Sequence, residues 1–393
     1  MNNKFLISAI ALNLILLLNY LFWAIFPLTT QLAQALIILY IAICIYPLMN
    51  VRETWPLIAF ICFGLFVTIF TGSVGWDARS IWLFHGKRIF FDGGLYAQLD
   101  NYAVWSHNDY PVLYSAFTAT IARAIGGWNE ILPKTASIFF LIPPLLIFLK
   151  VFSNPTRFLV FNIGLLLICR EHPFNGYMDA ILALYTCAAV LLLMPTVLNS
   201  LSIDTKDKNI YVALTGTFLV ALPLLKNEGL IILLCISVAA LIFKSSLSKK
   251  SYILVLLIAL IFFFFTWKLP LLQANLQNDL VVSGIFDRAL NRLKDINSLY
   301  LIASNFLKNT WITLTLMTLS LYVVGVKFSK IYIPAIFLIL YTGFLLVVYL
   351  ITPHNLTYHL WSSIDRTLMP VNLLMFCIAM PLNLHPHSLK QNL

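Results

Sequence analysis

The sequence predicts an all-α polytopic membrane protein with about twelve transmembrane helices. Of its 393 residues, 61% are hydrophobic and only 10% are charged, whereas about a quarter of the residues in an ordinary soluble domain are charged. Apolar runs of roughly 20 residues, the length that crosses a bilayer, recur along the whole chain. These observations exclude a soluble globular domain, a disordered chain and a coiled coil, and they predict a single integral membrane domain over residues 1–393.

The apolar runs define the predicted spans. The first, from Phe5 to Phe26, is too long for the apolar region of a signal peptide, and a second run follows at once, so we interpret it as an uncleaved helix. No register of the first half of the runs matches the second half, so we see no internal repeat. The predicted spans cover residues 5–26, 32–49, 56–73, 131–150, 157–171, 179–197, 209–225, 229–243, 251–267, 309–326, 331–351 and 367–383.

Basic residues in the short connections predict the orientation. With the N-terminus inside, the inner connections carry Arg52, Arg157, Lys249 and Lys250, as the positive-inside rule requires. Both termini are then cytoplasmic, and most carboxylates fall on the outer side. The net charge of +10 suggests contact with anionic lipid head groups, and no nucleic-acid motif is present. The short loops favour a bacterial inner membrane, whose outer face meets the periplasm or exterior.

Two predicted outer segments are too long to be turns, residues 74–130 and 268–308. The first contains an apolar stretch at 110–123 that is too short and too polar to span, so we interpret it as a helix at the outer interface. If that stretch did span, every later helix would be inverted and the basic loops would face outward. The second contains a polar helix at 286–295, which we expect over the outer mouth.

Two carboxylates stand at predicted helix ends on the outer face. Asp77 follows the third span, and Asp179 opens the sixth. A carboxylate at the membrane boundary is partly desolvated, which raises its basicity and suits a general base. The plain alternatives are that Asp77 only pairs with Arg79 and that Asp179 only caps its helix.

Two further clusters contain cations suited to a phosphate. Lys226 and Glu228 lie between two apolar spans, where charges are costly unless they are paired or used. Arg366 is suited to a bidentate phosphate clamp, with His359 and Asp365 holding it in place. The alternatives are a tight turn with a local ion pair for the first cluster and a snorkelling arginine for the second.

The fifth cluster precedes the predicted interfacial helix. It contains His107, Asp109 and Tyr110, followed by Pro111. Proline in a first helical turn with a polar residue ahead of it is ordinary capping, so this stretch either caps the helix or contributes to the site.

Taken together, the clusters resemble the GT-C superfamily of integral-membrane glycosyltransferases, in the branch that contains protein O-mannosyltransferases and lipid A aminoarabinose transferase. Asp77 in Gly-Trp-Asp-Ala-Arg matches the acidic residue at the start of the first outer loop, and Asp179 matches a second outer-facing aspartate. His107 stands where the family has a basic residue before a proline-led helix. Lys226 matches the lysine of a Lys-Gly pair, although here Asn-Glu separates it from the glycine. The similarity is best over residues 70–230.

The resemblance implies a polyprenyl-phosphate sugar as donor and a glycan, lipid or protein as acceptor. Lys226, Arg366 and either Arg79 or His107 would hold the donor phosphate. Asp77 would deprotonate the acceptor, with inversion at the sugar carbon, and the second aspartate would orient the acceptor. The sequence requires no cofactor, and some relatives bind a divalent cation at such carboxylates.

Two other functions stay open at this point. Twelve spans with both termini inside are common among secondary transporters, but the missing repeat and the scarcity of mid-span charges count against a transporter. A ligase or polymerase of lipid-linked glycans would use the same carboxylates and phosphate ligands.

Overall fold

The computed structural model describes residues 3–72, 75–99, 102–152, 154–201, 208–276, 283–325 and 330–380. Every regular element in these ranges is helical, which confirms the all-α class. The α-helices are α1 (Lys4–Ile25), α2 (Thr30–Leu48), α3 (Val51–Phe70), α4 (Leu83–Asp92), α5 (Leu113–Ala124), α6 (Ala136–Phe152), α7 (Pro155–Cys169), α8 (Asp179–Leu193), α9 (Pro195–Ser200), α10 (Lys208–Leu225), α11 (Asn227–Ile242), α12 (Lys249–Phe263), α13 (Leu269–Gln273), α14 (Ile285–Lys294), α15 (Ile296–Val324), α16 (Tyr332–Ile351), α17 (Leu356–Thr367) and α18 (Met369–Ala379).

Among the described residues, seven helices are long and apolar enough to cross a membrane. Three shorter apolar helices, α7, α8 and α11, coincide with further predicted spans. The chain is therefore a polytopic helical membrane protein, and the number of twelve spans stays a prediction. The seven are Lys4–Ile25, Thr30–Leu48, Val51–Phe70, Pro133–Phe152, Lys208–Leu225, Lys249–Gln273 and Tyr332–Ile351.

Helix α8 lies at the centre of the bundle. All of its residues from Asp179 to Leu193 are buried. It packs against α6, α10 and α18, and α1 packs against α6 and α10 in turn. The helices outside this centre expose large apolar side chains, among them Ile38, Phe66 and Leu257. A helix that is apolar on all sides and enclosed by others is expected at the core of a membrane bundle.

The predicted interfacial helix corresponds to α5, which is covered by other helices. Every residue from Leu113 to Ala122 is buried. Helix α4 approaches α5 closely, since a Cβ at Gly86 would lie 1.8 Å from Thr118 Oγ1. The position of α5 relative to a membrane surface stays a prediction.

The second predicted outer segment is more helical than the sequence suggested. A π-helical turn, Phe264–Lys268, joins α12 to α13, so this helix continues to Gln273. Helix α14 occupies the predicted polar stretch, and α15 begins at Ile296, well before the predicted span at 309–326. Asp295 caps α15 by accepting hydrogen bonds from the backbone N–H groups of Asn297 and Ser298.

Candidate active site

The charged clusters meet in one cavity of about 500 Å³. The termini of several helices supply its lining. Residues far apart in sequence therefore come together at one end of the bundle. Of the residues predicted from sequence, the cavity is lined by Asp77, His107, Tyr110, Asp179, Lys226, Glu228, His359 and Arg366.

Each charged side chain of the cavity stands at the end of a helix. Asp77 immediately precedes a π-helical turn at Ala78–Trp82, and Asp179 is the first residue of α8. Lys226 is the extended residue between α10 and α11, and Arg366 lies in the last turn of α17. The helix dipole favours a carboxylate in a first turn and a cation in a last turn, so Asp179 and Arg366 suit their positions. Lys226 is the N-cap of α11, where the dipole of that helix disfavours a cation.

Lys226 forms a buried ion-pair network with two carboxylates. Its Nζ lies 2.8 Å from Asp179 Oδ1 and 2.9 Å from Glu228 Oε1, and its side chain is 8% exposed. Burial alone would lower the pKa of the Lys226 ammonium group, but the two carboxylates outweigh burial and raise the pKa above its ordinary value. The side chain therefore remains a cation inside the protein.

Arg366 links the two predicted catalytic carboxylates. Its Nη1 donates a hydrogen bond to Asp77 Oδ2 and lies 3.7 Å from Asp179 Oδ2. Its Nε and Nη2 donate to the carbonyl oxygen of Ser362, one turn earlier in α17. Burial alone would lower the pKa of the guanidinium, but Asp179 and Asp77 outweigh burial and raise it. Arg366 is thus a fixed cation between two carboxylates.

Tyr177 supports Arg366 and was not singled out from the sequence. Its ring centroid lies 5.2 Å from the guanidinium carbon, within cation–π range. A Cβ at Gly75 would lie 2.2 Å from Tyr177 Cε2, so only glycine at position 75 lets the ring take this place. The signal in the sequence is weak, namely a tyrosine two residues before Asp179.

His172 is a second residue that sequence reasoning missed. It lies in the connection before α8, and its ring packs edge-on against Tyr177 with 4.7 Å between centroids. Burial lowers the pKa of His172, although Asp179 acts in the opposite direction. A histidine that favours the neutral form beside Tyr177 helps to hold that ring without adding charge.

Three buried polar atoms of the cavity have no hydrogen-bond partner among the described residues, namely Asp179 Oδ2, Glu228 Oε2 and His359 Nδ1. Buried polar groups in proteins are nearly always hydrogen-bonded. The two carboxylate oxygens are acceptors, and Asp179 Oδ2 faces Arg366 Nη1 at 3.7 Å.

His359 is held in the neutral form. Burial, together with the nearby cationic groups of Arg292 and Arg366 and the imidazole of His354, lowers the pKa of its imidazole to about 4. Its ring packs 5.1 Å from that of Tyr349. At neutral pH His359 therefore adds hydrogen-bonding capacity to the cavity rather than positive charge.

Three predicted residues lie outside the lining of this cavity. Arg79 lines a separate cavity with Trp105. Asp365 pairs with Arg170 on the exposed side of α17, at 3.7 Å. Asp109 Oδ2 accepts a hydrogen bond of 2.8 Å from the side-chain amide of Asn227. Asp109 thereby fixes the start of α11 beside the cavity, and the functional roles of all three stay predictions.

Within the described residues, no group of three or more His, Cys, Asp and Glu side chains could hold a metal ion. The cavity instead combines three carboxylates, two cations and neutral aromatic groups. Such a set can bind an anion at the cations, accept hydrogen bonds from hydroxyl groups, and remove a proton from an incoming nucleophile.

No protein-family model, no curated protein and no solved structure matches this chain.

Proposed function

We propose that this protein is a GT-C-like glycosyltransferase that moves a sugar from a polyprenyl-phosphate donor to an acceptor at the outer face of a membrane. The observation that carries the proposal is the meeting of Lys226 and Arg366 with Asp77 and Asp179 in one cavity at the end of an apolar helical bundle. A lipid-borne phosphate would need the cations, and a nucleophile would need a carboxylate within the same site.

The donor phosphate is assigned to Lys226 and Arg366. Lys226 is buried and Arg366 is half-buried, and a phosphate would take the place of carboxylates that now pair with them. The wall of the cavity is apolar, with Ile231, Phe344 and Val348. A desolvated cation interacts more strongly with an anion than an exposed cation does, because the surrounding dielectric is low. The apolar wall would continue the hydrocarbon environment from which a lipid-linked donor enters.

Asp77 is assigned as the general base. It would take the proton from an acceptor hydroxyl or amine as that atom attacks the anomeric carbon of the sugar. The bond from this carbon to the phosphate oxygen breaks, the electron pair leaves with the phosphate, and the sugar carbon is inverted. Lys226 and Arg366 would stabilise the charge that builds on the departing phosphate.

Arg366 connects the binding of the donor phosphate with the removal of the acceptor proton by Asp77. It donates to Asp77, and a phosphate would compete for the same guanidinium. A shift of Arg366 towards the phosphate would leave Asp77 Oδ2 without this hydrogen-bond donor and free to accept the proton of the acceptor. The donor would thus help to activate the base that the acceptor needs.

The proposed orientation places this cavity in the periplasm or exterior, with both termini in the cytoplasm of a bacterial cell. The connections at the other ends of the helices support it, because Arg52, Arg157 and Lys249 lie there in short loops or first turns. A secondary transporter is less well supported, since the ionisable residues lie at helix ends rather than near mid-helix.

Native mass spectrometry of the full-length protein tests the proposal. The wild type, purified with endogenous lipid or after addition of a polyprenyl-phosphate sugar, should retain the lipid, and the variant with Lys226→Ala and Arg366→Ala should lose it. Lys87→Ala is the control, because Lys87 is an exposed lysine that pairs with the exposed Glu130. Absence of the lipid from the wild type, or equal retention by the double variant, would remove the donor site and favour transport assays.

A further inference from the structure

Helix α14 has three distinct faces. Successive residues of an α-helix are 100° apart, so residues three and four apart share a face. Arg288 and Arg292 share one face, which turns towards α16. A second face carries large apolar side chains, Phe286, Leu290 and Leu293. A third carries exposed polar side chains, namely Asp287, Asn291 and Lys294.

The arginine face attaches α14 to the protein. Carbonyl groups at the C-terminal end of a helix lack partners within that helix. Arg288 Nε donates to the carbonyl oxygen of Ile351 at 2.8 Å. Arg292 donates through Nη1 and Nη2 to the carbonyl oxygens of Tyr349, Leu350, Thr352 and His354, at 2.9 to 3.1 Å. The two arginines therefore supply the partners that the end of α16 needs.

The apolar face of α14 is unusually exposed. Phe286 is 89% exposed, Leu290 51% and Leu293 53%, and no residue of the helix is buried. The exposed apolar surface continues on α15 with Ile296 and Tyr300, which are each 74% exposed. A contiguous apolar surface of this kind marks a contact with a partner or a membrane.

We propose that α14 lies in the membrane–water interface, with Phe286, Leu290 and Leu293 inserted between the lipid head groups. The bilayer is the partner we assign because the apolar face continues along α15, where Leu307 and Trp311 share a face with Ile296 and Tyr300 and are also exposed. The third face fits the same position, since its polar side chains would meet water. A helix with one protein face, one apolar face and one polar face is matched to a boundary between lipid and water.

The assignment connects the lipid surface to the cavity. Tyr349 and His354, whose carbonyl groups accept from Arg292, also line the cavity. An interfacial α14 would fix the depth of the cavity wall that contains Tyr349 and His354 relative to the lipid head groups. The proposal concerns the lipid contact alone and does not depend on the reaction that the cavity performs.

Site-specific fluorescence in lipid nanodiscs tests the proposal on the full-length chain. Leu290→Cys and Asn291→Cys place a label on the apolar and polar faces at adjacent positions. The background carries Cys62→Ser, because Cys62 is the exposed cysteine among those described and the others are buried. We expect brominated phosphatidylcholine to quench the label at 290 roughly twofold or more above that at 291, and aqueous iodide to show the opposite order.

Other outcomes would overturn the proposal. Equal quenching of both labels by lipid would mean that α14 stands clear of the membrane. A label at 290 that neither quencher reaches would mean that protein covers the apolar face, and recovery of quenching when nanodiscs hold a single copy would identify that protein as a second copy of this chain. Since the readout is quenching rather than sugar transfer, failure of the proposed glycosyltransferase activity leaves this test unaffected.

Discussion

The buried network around Lys226 makes a quantitative prediction about stability. Lys226→Met keeps the unbranched side chain, one heavy atom shorter, and removes its charge. It leaves Asp179 and Glu228 without the ammonium group that lies 2.8 and 2.9 Å from them. Removing one partner from a buried ion pair costs about 3–5 kcal/mol when the other charge stays buried without compensation. Arg366 lies 3.7 Å from Asp179 Oδ2 and compensates part of that charge, so we expect the lower end of this range.

The network also predicts an order among variants. Asp179→Asn should cost less than Lys226→Met, since Lys226 keeps Glu228 as a partner and an asparagine oxygen still accepts a hydrogen bond. The double variant should cost less than the sum of the two single variants, because a neutral amide beside methionine leaves a smaller uncompensated charge.

The free energy of unfolding measured by SDS titration in mixed micelles, with circular dichroism as the signal, checks this prediction. Lys87→Met is the matched control, because Lys87 pairs with Glu130 at 3.4 Å while 48% exposed. An exposed pair contributes about 0–1 kcal/mol. If Lys226→Met were no more destabilising than Lys87→Met, the reasoning about the buried network would be refuted.

Three further predictions concern the cavity and its frame. Asp77→Asn should abolish sugar transfer while the protein stays folded and retains the donor lipid, and normal turnover in a transfer assay would remove Asp77 as the base. The pKa of His359 lies at about 4 in the folded protein against an ordinary value of 6.5, so the unfolded chain binds the proton first as the pH falls. The contribution of neutral His359 to stability is therefore fully present above pH 6.5 and is lost as the pH falls towards 4. The melting temperature of His359→Gln should fall less over this range than that of the wild type. Gly229→Ala should destabilise the protein, since its Cβ would lie 1.9 Å from the carbonyl oxygen of Leu222, whereas Gly343→Ala has nothing within 4 Å and should be neutral or stabilising in the same melting assay.

The helical class and many helix positions could be predicted from the sequence because apolar runs of bilayer length are a strong signal. The predicted spans at 5–26 and 331–351 coincide closely with α1 and α16. The start of α15 at Ile296 was missed because its first turns are polar enough to read as a loop. High hydropathy marks segments that are buried in lipid. A helix that continues beyond its apolar run into polar residues is therefore not detected by hydropathy.

The sequence predicted which charged residues stand near the cavity better than it predicted which of their side chains face the cavity. A charge between two apolar runs is costly, so Lys226 and Asp179 stand out in the sequence. Arg79 and Asp365 stand out equally, yet they turn away from the cavity that Asp77 and Arg366 line. Residues one or two apart on a helix point in different directions, and only the packing of the helices decides which of them faces inward.

The confinement of the polar chemistry to helix ends bears on how such a chain can diverge. Asp77, Asp179, Lys226 and Arg366 all belong to junctions, while the long stretches between junctions need only remain apolar and helical. Leucine, isoleucine, valine and phenylalanine can replace one another in those stretches at modest cost when the volume is kept. Distant relatives would then retain a few short motifs in a fixed order, separated by apolar segments whose sequences have diverged. A comparison weighted towards the junctions would detect such kinship better than one that counts every position alike.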